Sequence, residues 1–210
     1  MVFIRSIPVV AIDNNLRGIT TDGKYLWWLG SQNDSIYQMD KSGNLIQTIP
    51  IGVIDDTPMG ITTDGKYLWW IGQTNDNIYQ MDKSGNLIQT IPVGAIDTLP
   101  TGITTDGKYL WWTGSQNNSI YQMDKLGNLI NTIPIGAIDF NPFGITTDGK
   151  YLWWLGSQND SIYQMDKSGN LIQTIPVGAI DTLLRGITTD GKYLWWTGQT
   201  NRILVQMDRN

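Results

Sequence analysis

Apolar and polar residues alternate along this chain in short runs, each ended by Gly, Asp, Asn, Ser or Pro, and no stretch carries the 3.6-residue spacing of a long amphipathic helix. Between Met59 and Pro92 the alternation resolves into four segments. Met59-Gly-Ile-Thr-Thr63 reads as a short strand, and Asp64-Gly65 after it signals a type I′ hairpin. Lys66 to Ile71 is a second, aromatic-rich strand, and the polar loop Gln73–Asn77 leads to a third, Ile78–Asp82. The turn Lys83-Ser-Gly-Asn86 precedes the fourth, Leu87–Pro92.

This pattern is one unit of a repeat. The run Gly18-Ile-Thr-Thr-Asp-Gly-Lys-Tyr-Leu-Trp-Trp28 returns at Gly60, Gly102, Gly144 and Gly186, forty-two residues apart each time. Residues 1–17 read as the tail of a unit, because Phe3-Ile-Arg-Ser-Ile-Pro8 aligns with Leu45-Ile-Gln-Thr-Ile-Pro50. The last unit stops before its fourth strand, so the first residues of the chain would supply it and close a ring. Proline cannot donate to a sheet ladder, which marks the strands ending at Pro50, Pro92, Pro134 and Pro176 as outer edges. The glycine-led first strand suits the crowded centre. The expected fold is therefore all-β: one domain over residues 1–210, a five-bladed β-propeller with four antiparallel strands per blade, closed by its N-terminal strand. An open solenoid would need polar capping units at its ends, and neither end looks like one.

Composition narrows the chemistry. A net charge of −5 and a pI near 4.5 argue against a nucleic-acid partner, and no apolar run approaches the length of a membrane span. Met1 leads straight into the first strand without a secretory leader, which leaves the compartment open. His and Cys are absent and every acidic residue is Asp. Triads that need an imidazole are thus excluded, and zinc loses its commonest ligands. We expect no cofactor, no metal, no catalytic residue and a monomer.

The Trp pairs carry two readings. Indole faces stack on sugars, which makes Trp28, Trp70, Trp112, Trp154 and Trp196 candidates for one shallow glycan site per blade, with Asn33 and Asp34 beside them. Adjacent strand residues also point to opposite faces, so both members of each pair could be core, each burying on the order of 200 Å². The set Asp13, Asp55, Asp97, Asp139 and Asp181 lies in the connection to each inner strand, where a carboxylate either holds the loop by accepting backbone N–H bonds or contacts ligand. Asp22, Asp40 and their equivalents read as turn residues, and the mid-strand Gln38 set as links between blades.

The copies differ most just before the inner strand. Arg17, Met59, Thr101, Phe143 and Arg185 occupy the equivalent position and should ring the central channel, with Arg17 and Arg185 side by side. Two close cations call for an anion, whether a bound carboxylate, phosphate or acidic sugar, or the nearby Asp13 and Asp181. All five Arg, at 5, 17, 185, 202 and 209, cluster in the first and last units, a chemically distinct seam.

The phrase Gly18-Ile-Thr-Thr-Asp-Gly-Lys-Tyr-Leu-Trp27, followed by Ile36-Tyr-Gln-Met-Asp40 and Gly43-Asn-Leu45, resembles blades of bacterial NHL-like and glutaminyl-cyclotransferase-like propellers, and the likeness covers the whole chain. Enzymes of those families generally use Glu or His, which this chain lacks, so catalysis is not carried over. The expected function is non-enzymatic, multivalent binding of lectin type, with carbohydrate as partner. The alternative is a protein-interaction or purely structural ring produced by blade amplification or design.

Overall fold

A computed structural model describes residues 3–208. Twenty strands form five separate four-stranded antiparallel sheets. The first blade runs from β2 (Leu16–Thr21) through β3 (Tyr25–Gly30) and β4 (Ser35–Asp40) to β5 (Leu45–Pro50). The second comprises β6 (Pro58–Thr63), β7 (Tyr67–Gly72), β8 (Asn77–Asp82) and β9 (Leu87–Pro92), and the third β10 (Pro100–Thr105), β11 (Leu110–Gly114), β12 (Ser119–Met123) and β13 (Leu129–Pro134). The fourth has β14 (Pro142–Thr147), β15 (Tyr151–Gly156), β16 (Ser161–Asp166) and β17 (Leu171–Pro176). In the fifth, β18 (Leu184–Thr189), β19 (Tyr193–Gly198) and β20 (Ile203–Asp208) are completed by β1 (Phe3–Pro8), in the order β1-β20-β19-β18. The expected five-bladed propeller and its closing strand are both present.

The centre of the ring is built from glycine. A Cβ on Gly18 would lie 2.7 Å from the Ile61 nitrogen, and one on Gly102 only 2.2 Å from the Phe143 carbonyl oxygen. On Gly186 it would meet Gly18 Cα at 2.6 Å, so the contact continues across the seam between last and first blades. Innermost strands therefore touch backbone to backbone, and β18 comes within 8 Å of β6 across the ring. Five blades leave little room at the axis.

Between blades the two tryptophans of each pair part company, as period-two alternation requires. Trp27 packs with Leu29, Ile36 and Ile49 against Ile61, Leu68 and Trp70 of the second blade, whereas Trp28 packs with Leu26 and Met39 against Trp195 and Leu204 of the fifth. Ionic pins reinforce these interfaces. Lys83 Nζ meets Asp22 Oδ2 at 2.8 Å, and Lys125–Asp64, Lys167–Asp106 and Lys41–Asp190 repeat the pair. The same Asp22 oxygen accepts the Trp27 indole N–H at 3.2 Å, so the turn aspartates join blades as well as closing hairpins.

Two local expectations are corrected. A type I′ turn needs positive φ at both central residues, but at Asp64-Gly65 only the glycine has it, at 89°. The Asp64 carboxylate instead accepts the N–H groups of Lys66 and Tyr67 and builds the turn from its side chain. The amide-to-blade links come from Gln47, whose Nε2 donates to the Lys83 carbonyl, and from Gln89 to Lys125, while Gln206 accepts from Arg5 Nε within the closing sheet. The Arg5 guanidinium also lies 5.6 Å from the Trp195 ring, tying β1 to β19. Arg209 of the seam lies outside the described residues.

Candidate functional site

Each inner strand is entered through a connection that folds around one aspartate. Asp13, 1% exposed, accepts the backbone N–H of Asn15 at 2.8 Å, of Asn33 at 3.1 Å and of Gln32 at 3.4 Å, and the Tyr37 hydroxyl at 3.2 Å. Asp55, Asp97, Asp139 and Asp181 are equally buried and hold the same loops. Gly30 makes room, since a Cβ there would sit 2.3 Å from Asp13 Oδ2. The ligand-contact reading of this set is corrected: these carboxylates are spent on backbone donors beneath the surface. Burial pushes the Tyr37 hydroxyl pKa upward, so it stays a neutral donor.

The indole reading is corrected too. Trp28, Trp70, Trp112, Trp154 and Trp196 are all 0% exposed. The first four are stacked on tyrosines of the same blade, Trp28 on Tyr37 at 4.4 Å between ring centroids. No face remains for a sugar ring. Asn33 is exposed, but its side-chain N–H groups donate to the Ile12 carbonyl and the Tyr37 hydroxyl. Asp34 is half-buried with φ of 43°, and the equivalents Asp76, Asn118, Asp160 and Arg202 share this left-handed backbone. Burial and the charges of Asp56, Asp13 and Asp55 raise the Asp34 pKa.

The five rim residues separate into two kinds. Met59 is buried in the core between the second and third blades. Thr101 is buried as well, bonding the Pro142 carbonyl at 2.7 Å and meeting the Thr113 hydroxyl at 2.9 Å. The expected circle is therefore an arc: Phe143, Arg185 and Arg17, half-buried on the adjoining fourth, fifth and first blades. Arg185 Cζ stands 4.1 Å from the centroid of the Phe143 ring. Its Nε donates to Gln199 Oε1 at 3.0 Å, and Arg17 Nε donates to Ser31 Oγ at 2.9 Å. Gln199 reaches on to the Asn15 side chain across the seam.

Neither arginine forms an ion pair with Asp13 or Asp181, whose oxygens face backbone donors. Burial pulls the Arg185 pKa down to about 10, with the charge of Arg17 adding to the effect. Burial lowers that of Arg17 also, against the opposing charge of Asp13. Sequence reading found these cations but not their tethers. Ser31 and Gln199 occupy a position that reads Ser31, Gln73, Ser115, Ser157 and Gln199 around the ring, and that variation was the available signal.

Neither a protein-family model nor a curated protein sequence matches the chain. Solved structures do match its fold. Glutaminyl cyclase of Myxococcus xanthus superposes with a TM-score of 0.80 at 13% identity, over 99% of this chain and 96% of that one. A streptogramin B lyase gives 0.59 at 20% identity, over 98% and 73%. A chain of a nidogen/laminin complex gives 0.64 at 24% identity, over 82% and 67%. The resemblance to glutaminyl-cyclotransferase-like propellers thus holds at the level of fold. The expectation that the chain is not an enzyme is corrected by the same comparison: two of these neighbours are enzymes, and the architecture gives no ground for excluding catalysis.

Proposed function

We propose that this propeller is a binding ring that engages its ligand at one off-centre seat, the arc of Phe143, Arg185 and Arg17, instead of at five equivalent sites. One observation carries the reading. The repeated candidates for ligand contact, the Trp28 and Asp13 sets, are buried and committed to packing or to holding loops, whereas the arc presents two half-buried guanidinium groups with no ion-paired carboxylate among the described residues. Unpaired charge of that kind is costly in a folded chain unless a ligand uses it. Fivefold glycan binding loses its stacking platform with the burial of the Trp28 set.

Backbone and arginine side-chain NMR with a small-molecule fragment set tests this. Shifts concentrated on Phe143, Arg185, Arg17 and Gln199 are expected. Equal perturbation of Asn33, Asn75, Asn117, Asn159 and Asn201, saturating with five ligands per chain, would replace the single seat with the multivalent reading.

A further inference from the structure

We infer that the seat takes a singly charged carboxylate carried on an apolar or aromatic body, bound end-on by the terminal amino groups of Arg185 with Arg17 alongside. The inference rests on the proposed seat and adds the chemistry of its occupant. Three features of the arc lead to it.

The first is which donors are free. Each guanidinium is anchored at Nε, Arg185 by Gln199 and Arg17 by Ser31, and among the described residues neither uses its Nη groups in a hydrogen bond. An anchored Nε fixes the plane of the group. The two terminal nitrogens of Arg185 then present the parallel pair of N–H bonds that a carboxylate accepts in bidentate fashion.

The second is which direction is open. Phe143 covers one face of Arg185 at 4.1 Å, so an anion meets the guanidinium in its plane and the ligand's body meets the aromatic ring and its surroundings. Phe143 in turn packs against the apolar cluster that includes Met59 and Trp112. Met59 and Trp112 are themselves buried, so the half-buried Phe143 ring is the apolar group that a ligand body would meet.

The third is which cation lacks a nearby carboxylate. Arg17 feels the carboxylate of Asp13, whereas the influences on Arg185 are burial and another cation. A single ligand carboxylate at Arg185 supplies the missing partner. A dianion such as phosphate would add a second negative charge within a chain of net charge −5, and would bring oxygens that the in-plane approach leaves without donors.

Calorimetric titration of the full chain with benzoate, inorganic phosphate and neutral benzamide, each paired with NMR, tests the inference. Benzoate is expected to bind once per chain and to shift Arg185, Arg17 and Phe143, with benzamide and phosphate weaker. Arg185→Met should weaken benzoate roughly tenfold, the loss of about one charge-assisted hydrogen-bonded contact. Arg185→Lys, which keeps charge and stem but not the fork, should also weaken it and serves should Met disturb folding. Phosphate binding as tightly as benzoate, or benzoate binding unchanged in Arg185→Lys, overturns the carboxylate assignment. Benzamide shifting the arc while benzoate does not would also overturn it, yet leave the seat standing. If no probe moves the arc, seat and assignment fall together.

Discussion

The hydroxyl of Tyr163 donates a 2.8 Å hydrogen bond to Oδ2 of Asp139, joining the third strand of the fourth blade to the connection that feeds its first. Asp139 also holds the N–H groups of Gln158 and Asn159, so one buried carboxylate organises two loops. Tyr163→Phe removes one donor and should cost about 1 kcal/mol, whereas Asp139→Ala strands several buried N–H groups and should cost roughly 3 kcal/mol. Paired urea melts check the ranking. Equal effects of the two variants would mean that the backbone bonds contribute nothing.

The ring of glycines makes a sharper demand. Gly102→Ala places a methyl 2.2 Å from the Phe143 carbonyl oxygen, which only backbone movement can relieve, and should cost roughly 3 kcal/mol or more. Gly107→Ala has open space around its Cβ and suffers only from φ of 89°, a penalty of about 1 kcal/mol. Thermal melts of the two single variants separate crowding from backbone strain.

Acid should loosen the blade interfaces first. At Asp22, burial pushes the carboxyl pKa up, but the hydrogen bond from Lys83, the Tyr25 N–H, the Trp27 indole and the Lys83 charge outweigh it and leave it below the ordinary 3.8. Asp64, Asp106 and Asp190 behave alike. A carboxylate depressed in the folded state binds fewer protons there than when unfolded, so its stabilisation is full above 3.8 and drains away as pH falls through the folded value. Lys83→Met should move the midpoint of acid unfolding to higher pH, as read by tryptophan fluorescence.

The loop aspartates of the left-handed position act in the opposite sense. Asp76 is raised by burial and by the charges of Asp97 and Asp55, and its Oδ1 has no hydrogen-bond partner. The third blade carries Asn118 at the same place with the same backbone, φ of 47° against 49°. Asp76→Asn should therefore raise the melting temperature at neutral pH, and the gain should shrink below the Asp76 pKa, where the native carboxyl is already neutral.

Much of this was legible beforehand because repetition and period-two alternation are written in residue types. Pro50 marked an edge, Gly18 a crowded centre, and Trp27 with Trp28 two opposite faces. The role of Asp22 between blades was not legible, since its partner Lys83 lies sixty-one residues away and only ring closure brings them together. Arg17 and Arg185 were foreseen as neighbours, but Met59 and Thr101 were not foreseen as buried. Their equivalence in register says nothing about how a short bulged segment turns each side chain, and the ladder is irregular there, between Leu16 and Ile19 and at each counterpart.

The ring is closed by β1, a strand as exposed as the outer strands β13 and β17. Its side chains are open to solvent except that of Ile7, which inserts beside Trp195 and Leu204. The ladder runs from Pro8 opposite Ile203 to Arg5 opposite Gln206, then slips before Phe3. Removing residues 1–8 would bare the β20 edge, and an uncovered edge with buried neighbours such as Leu204 pairs with whatever strand it meets. The truncated chain should therefore elute as a dimer or larger species in size-exclusion chromatography. A synthetic peptide of residues 1–10 added in trans should return it to monomer and restore a single melting transition, whereas the same peptide with Ile7→Asp should not, because a carboxylate cannot occupy the Ile7 position without a partner. A truncated chain that stays monomeric and melts like the full one would show that the ring closes through its glycine centre alone.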